Sequence, residues 1–211
     1  MKILVIVLTT LLSMKAFAKV KVAVIDTGLV ESPTYEICGT KDFTNTEIAD
    51  RDGHGSNVSA LIDQYAGDSD YCQLVIKYYQ KGMSKDNLLN TIRAFKYAIE
   101  QKVDIINYSG GGLSYDATER YYVRKALALG IKVVVAAGNE GVKGPCKFYP
   151  ACYDDRIIVV SAKDVPQAND NSKVDVYHDG NNIFAGGHLR SGTSQSTAIE
   201  TGLQIKQMSS K

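Results

Sequence analysis

Residues 20–28 read VKVAVIDTG. The run VKVAVI is apolar and rich in β-branched side chains, and it stops at Asp26-Thr27-Gly28, a turn signal. A strand with one wet face alternates polar and apolar residues, whereas a strand that is apolar throughout is buried on both faces. Four more runs share this character: CQLVIKYY (72–79), VDIINYS (103–109), IKVVVAAG (131–138) and RIIVVSA (156–162). Between them lie stretches of helical period. Val58, Leu61, Ile62 and Tyr65 share a face within 52–67. Leu88, Leu89, Ile92, Phe95 and Ile99 do so within 84–101, with Ser84 or Asp86 available as a cap. The segment 115–130 ends on Gly130, suited to the position just past a helix. Doubly buried strands alternating with amphipathic helices predict an α/β fold of three layers, with helices on both faces of a mainly parallel, twisted sheet.

Such sheets gather function beyond the carboxyl ends of their strands. The residues standing there form a chemical set. Asp26 follows the first strand, Gly110, Gly111 and Gly112 follow VDIINYS, and Asn139 follows IKVVVAAG. His54 opens a helix after a glycine-flanked loop, and RSGTSQSTAIETG (190–202) opens the last helical segment with Ser191, Ser194 and Ser196. Acyl transfer by a hydroxyl needs a base, a carboxylate to orient that base, and donors for the oxyanion. Each part has a candidate here.

The 211 residues suit one domain with a substantial core, and 45% hydrophobic with 22% charged content is ordinary for a soluble chain. The first 18 residues, MKILVIVLTTLLSMKAFA, fit an export signal: Lys2 leads, an apolar run follows, and Ala16-Phe17-Ala18 fits the cleavage site. The expected organisation is a signal at 1–18 and one domain over 19–211, secreted or periplasmic, with no membrane attachment after cleavage. Removing Lys2 and Lys15 with the signal moves the formal net charge from +1 to −1, which argues against nucleic-acid binding. A monomer is expected. Four cysteines in an oxidising compartment favour two disulfides, with three connectivities possible. Cys146 and Cys152 enclose a short loop containing Pro150 and are paired on that ground, leaving Cys38 for Cys72.

Four motifs in order, VAVIDTG, DGHGSNVSALI, VVVAAGNEG and SGTSQSTA, resemble those of the subtilisin-like serine proteases. DIINYSGGG and KVDVYHDG resemble further segments of the family, so the likeness spans about 20–202. The resemblance implies an endopeptidase working through an acyl-enzyme on protein or peptide substrates, without a cofactor. It gives Ser194 the role of nucleophile, His54 that of general base, Asp26 that of the carboxylate orienting the base, and Asn139 that of oxyanion donor beside the Ser194 N–H. Ser109, Gly110 and Gly111, with Ala137 and Gly138, match the walls of a substrate pocket. The chain departs from the family at Gln195-Ser196-Thr197-Ala198, where Met-Ala-Ser-Pro is common. It also ends 17 residues after Ser194, implying a compact, C-terminally trimmed form, and its signal leads straight into the first strand with no room for a propeptide.

Blander readings exist for each residue. Asp26 could cap a turn, His54 could be a loop residue, and Asn139 suits a turn. His178 and His188 read as loop residues rather than metal ligands. The acidic and amide clusters at 68–70 and 169–171 lack calcium-loop spacing, so structural calcium has no supporting motif and no metal is expected. Two rival functions stand beside the peptidase: a catalytically weak or inactive binding or scaffold protein of the same fold, and an esterase or amidase using the same residues.

Overall fold

A computed structural model describes residues 19–82 and 86–210; the expected signal at 1–18 and the capping role of Ser84 lie outside the described residues. In chain order the elements are β1 (Val20–Asp26), β2 (Ile37–Asp42), α1 (His54–Ala66), β3 (Tyr71–Lys77), α2 (Asn87–Glu100), β4 (Ile105–Tyr108), α3 (Ala117–Ala128), β5 (Lys132–Ala136), β6 (Lys143–Gly144), β7 (Ile158–Ala162), β8 (Asp170–Asn171), β9 (Val176–His178), β10 (Ile183–Ala185), β11 (His188–Arg190) and α4 (Thr193–Ser209). Seven strands form one parallel sheet in the order β2-β3-β1-β4-β5-β7-β9. The fold is α/β.

The strands are apolar throughout because each face supplies a different core. Ala23 and Ile25 of β1 face a cluster holding Ala94, Phe95 and Ala98 of α2 and Val123 and Ala126 of α3. Val22 and Val24, one residue out of phase, face Val58, Leu61 and Ile62 of α1 and Ala198 and Ile205 of α4. Each fully buried Val, Leu, Ile or Phe side chain in these clusters contributes about 1.5–3 kcal/mol. The expected apolar face of α2 is buried at Phe95 and half-buried at Ile92 and Ile99, but not at Leu88 and Leu89. Leu88 and Leu89 are 43% and 44% exposed, and the buried residues are Asn90, Thr91, Ala94, Phe95 and Ala98. Small residues on this face let the helix approach the sheet closely, which a row of leucines would prevent. Asp86 is the N-cap residue of α2, but its side chain makes no capping bond.

Strand order reverses around β1. The chain passes from β1 to β2 and β3 on one side, then crosses to β4, β5, β7 and β9 on the other. A crevice therefore opens at the carboxyl ends of β1 and β4, the position where such sheets bind ligands. The structure joins Cys38 to Cys72, linking β2 to β3, and Cys146 to Cys152, closing a short loop. At the end of β3, Lys77 is fully buried, and its Nζ donates to the carbonyls of Glu47 and Ala49 and to Gln80 Oε1 at 2.7–2.8 Å. Burial pushes its pKa down despite nearby carboxylates. This ammonium pins the loop that leads into α1.

Candidate active site

Asp26 is the last residue of β1 and 1% exposed. Its Oδ1 accepts hydrogen bonds from the Thr27 N–H and pairs with His54 Nδ1, both at 2.7 Å. Its Oδ2 is buried without a hydrogen-bond partner. His54 is the first residue of α1. Burial alone lowers the pKa of its imidazole; the charge of Asp26 and its hydrogen bond more than offset this, and the net direction is upward. A proton on His54 is thus favoured.

What brings α1 to β1 is a turn built around Asp50, a residue the sequence reading passed over. Asp50 Oδ1 accepts from Thr27 Oγ1 and from the Asp52 and Gly53 N–H groups, and Oδ2 accepts from the Ser56 N–H and Oγ. Burial would raise the Asp50 pKa, but these donors outweigh it and the carboxyl sits below its ordinary value. Thr27 Oγ1 also accepts from the Gly55 N–H at 2.8 Å. The approach is so close that a Cβ on Gly55 would lie 2.6 Å from the Gly28 carbonyl oxygen, so only glycine fits.

Ser194, the second residue of α4, is 7% exposed. Its Oγ donates to the Ser109 carbonyl at 3.2 Å, and Ser109 Oγ donates to the Ser194 carbonyl at 3.3 Å. Among the described residues, no hydrogen bond joins His54 to Ser194. The structure therefore brings Asp26 to His54, and Ser194 to Ser109, with the hydroxyl turned toward the end of β4. Asn139 follows β5, and its Oδ1 accepts from the Thr193 N–H at 2.9 Å. With Oδ1 held, the amide NH₂ of Asn139 has no hydrogen-bond partner among the described residues and lies on the exposed side, beside Gly192 and the start of α4.

A second tie sets α1 against α4. Gln195, 1% exposed, donates through Nε2 to Asn57 Oδ1 at 3.0 Å. Asn57 Nδ2 in turn donates to the carbonyls of Ile183, Ala185 and His188 in the β10–β11 hairpin. The residue one past Ser194 is thus bonded to the residue three past His54. Gln195 stands where the family commonly has Met, and here its side chain makes a buried hydrogen bond.

Ser109, Gly110 and Gly111 continue β4 past its last pairing, and the backbone groups of Gly110 and Gly111 have no partner among the described residues. Gly112 is bridged to Tyr149 by a pair of backbone bonds at 2.9 and 2.8 Å. Ala137 and Gly138 follow β5, with the Gly138 N–H donating to Thr193 Oγ1 and both carbonyls taken by Asn169. Of the other histidines, His178 pairs with Glu200 at 2.8 Å, and the His188 ring packs on Gly53. Among the described residues, no group of three or more His, Cys, Asp or Glu could hold a metal ion.

Residues 18–210 match the subtilase family. The chain is 34% identical over 189 residues to the major intracellular serine protease of Bacillus subtilis (strain 168), covering 79% of this chain and 59% of that protein. It is 35% identical over 158 residues to subtilisin DY of Bacillus licheniformis, covering 70% and 57%. The chain thus spans less than two thirds of the length of these relatives. Among solved structures, a cold-adapted subtilisin-like serine proteinase superposes with a TM-score of 0.75 at 22% identity, covering 88% of this chain and 74% of that one. A lanthipeptide protease superposes with 0.77 at 18%, covering 90% and 74%. The matching family and the level of identity to these relatives establish that this chain belongs to the subtilase family.

Proposed function

We propose that this chain is a serine endopeptidase that cleaves peptide bonds through an acyl-enzyme on Ser194. The observation that carries the reading is the 2.7 Å bond between Asp26 and His54 at the reversal point of the sheet, with Ser194 at the start of the facing helix. In this mechanism Ser194 Oγ rotates from the Ser109 carbonyl to His54 Nε2, which takes its proton as Oγ attacks the substrate carbonyl. Asp26 holds the imidazole in the tautomer with Nδ1–H and stabilises the imidazolium. The oxyanion is met by the free amide of Asn139 and by the Ser194 N–H, where the positive end of α4 adds to both. His54 then protonates the leaving amine, and a water activated by the same base releases the acyl group. An extended substrate pairs with the open backbone of Gly110 and Gly111, between walls formed by Ser109, Ala137 and Gly138.

Export belongs to the same proposal, supported by the signal-like residues 1–18 and by two disulfides. Among the described residues, no helix is long and apolar enough to cross a membrane. A second reading, a subtilase that binds peptides with little or no turnover, is favoured by one observation: Ser194 Oγ is bonded to Ser109 rather than to His54. Hydrolysis of a quenched-fluorescence peptide library by the mature protein separates the two. The proposal expects turnover that disappears in Ser194→Ala; turnover equal in both proteins, or absent from the wild type, overturns it.

A further inference from the structure

Beside the site lies a cavity of about 380 Å³. Tyr78, Leu88, Thr91, Tyr108 and Tyr149 wall it, Gly111 and Gly112 form its rim, and Glu119 of α3 lines it. Glu119 is only 4% exposed. Its Oε2 accepts from Tyr153 Oη at 2.7 Å, and that hydroxyl also accepts from the Asp116 N–H. Among the described residues its Oε1 has no hydrogen-bond partner, and it is not sealed from the cavity. No described cation pairs with it. Among the described residues, Glu119 is the one carboxylate in a chamber otherwise lined by aromatic, apolar and neutral polar residues, Asn87, Thr91 and Ser114 among them, whereas buried carboxylates are ordinarily paired or fully bonded.

The chamber matches one kind of side chain. Ring walls accept an aliphatic stem, and their faces attract a cation. The unbonded Oε1 accepts a charge-assisted hydrogen bond from an ammonium or guanidinium head. Burial holds the Glu119 carboxyl up at about 7, so an arriving cation also relieves an unfavourable charge. Placement along a substrate follows from the strand. Ser109 touches Ser194, and Gly112 stands three residues further on, about 10 Å in extended chain.

We infer that this cavity is a specificity subsite taking a lysine or arginine side chain, two to four residues from the bond to be cut, with Glu119 as the residue that selects it. The inference rests on the peptidase reading of the neighbouring site. Neutral side chains of equal length fill the same space without satisfying Oε1, and they are the comparison that isolates the carboxylate.

The test is equilibrium binding to the Ser194→Ala protein, read by fluorescence anisotropy of labelled peptides carrying lysine or norleucine at each position in turn. At one position lysine should tighten binding by about tenfold or more. On the same background, Glu119→Gln should bring the lysine-to-norleucine ratio close to one while norleucine peptides bind as before, and Glu119→Leu should invert the preference. Discrimination at no position, or discrimination that survives Glu119→Gln, overturns the subsite. Failure of the peptidase reading is seen separately, as peptides that Ser194→Ala binds but the wild type does not cut. In that case a lysine preference still establishes the subsite.

Discussion

Replacing Glu119 with glutamine removes one ionisation from the interior, and the pH dependence of stability should report it. Burial raises the carboxyl from 4.5 to about 7; the hydrogen bond from Tyr153 opposes the rise and the charge of Asp116 adds to it. Tyr108, whose own pKa is raised by burial and by the Glu119 charge, faces the same group and stays neutral. Between 4.5 and about 7 the folded chain binds more protons at this position than the unfolded chain, so stability falls as pH rises through that window. It levels off above about 7. The gap corresponds to about 3 kcal/mol, nearly undiscounted because the side chain is almost wholly buried. Urea unfolding followed by circular dichroism, with disulfides intact and Ser194→Ala in both proteins to prevent self-digestion, gives the comparison. The difference in unfolding free energy between Glu119→Gln and its parent should grow in favour of the variant by about 3 kcal/mol from pH 4 to pH 8.5. Parallel curves across that range, or a difference that shrinks, would refute the account of Glu119 as a buried, under-satisfied acid.

Three further outcomes follow from the geometry. Asp26→Asn should lower kcat/KM by about 10⁴-fold, as loss of the tautomer-holding carboxylate does, and should move the acidic limb of the pH–rate profile to lower pH, because the Asp26 charge raises the His54 pKa. The same pairing makes stability fullest below His54's ordinary 6.5 and lost as pH rises through the folded value. Gln195→Ala leaves Asn57 Oδ1 buried without its donor and should cost about 1–3 kcal/mol in urea unfolding, with a fall in kcat larger than any change in KM as α1 and α4 lose their shared register. Removing the disulfides singly, by double alanine substitution, should rank them by loop size: about 4 kcal/mol for Cys38–Cys72 and about 2 kcal/mol for Cys146–Cys152, whose partners are 34 and 6 residues apart. Equal losses in thermal or urea unfolding would contradict that ranking.

Strands buried on both faces announce themselves, and for that reason β1, β3, β4, β5 and β7 were all visible in composition. The edge strand β2 alternates half-buried and exposed residues, and the three-residue strands of the β10–β11 hairpin keep Phe184 and Leu189 largely exposed, so neither carries an apolar run. Leu88 and Leu89 share the helical period of Phe95 but stay exposed at the start of α2, whereas close packing on the sheet selects Thr91, Ala94, Phe95 and Ala98. Asp26, His54, Ser194 and Asn139 were singled out as candidates through local motifs. What positions them was not, because Gln195 and Asn57 are 138 residues apart and their bond has no sequence spacing to reveal it. Asp50 was closer to legible, four residues before His54, but its five donors come from the folded turn. Glu119, in the polar stretch at the start of α3, reads as a solvated helix residue until the fold places it behind Tyr153.

The central claim is that Ser194 is made nucleophilic by His54 and Asp26. Mass-spectrometric mapping of the adduct formed by a fluorophosphonate probe tests it most directly. The account predicts one adduct per chain, on the peptide carrying Ser194, lost in Ser194→Ala and formed far more slowly in His54→Ala. A native, folded protein that forms no adduct, or one labelled at Ser191 or Ser196 with Ser194 untouched, would contradict it.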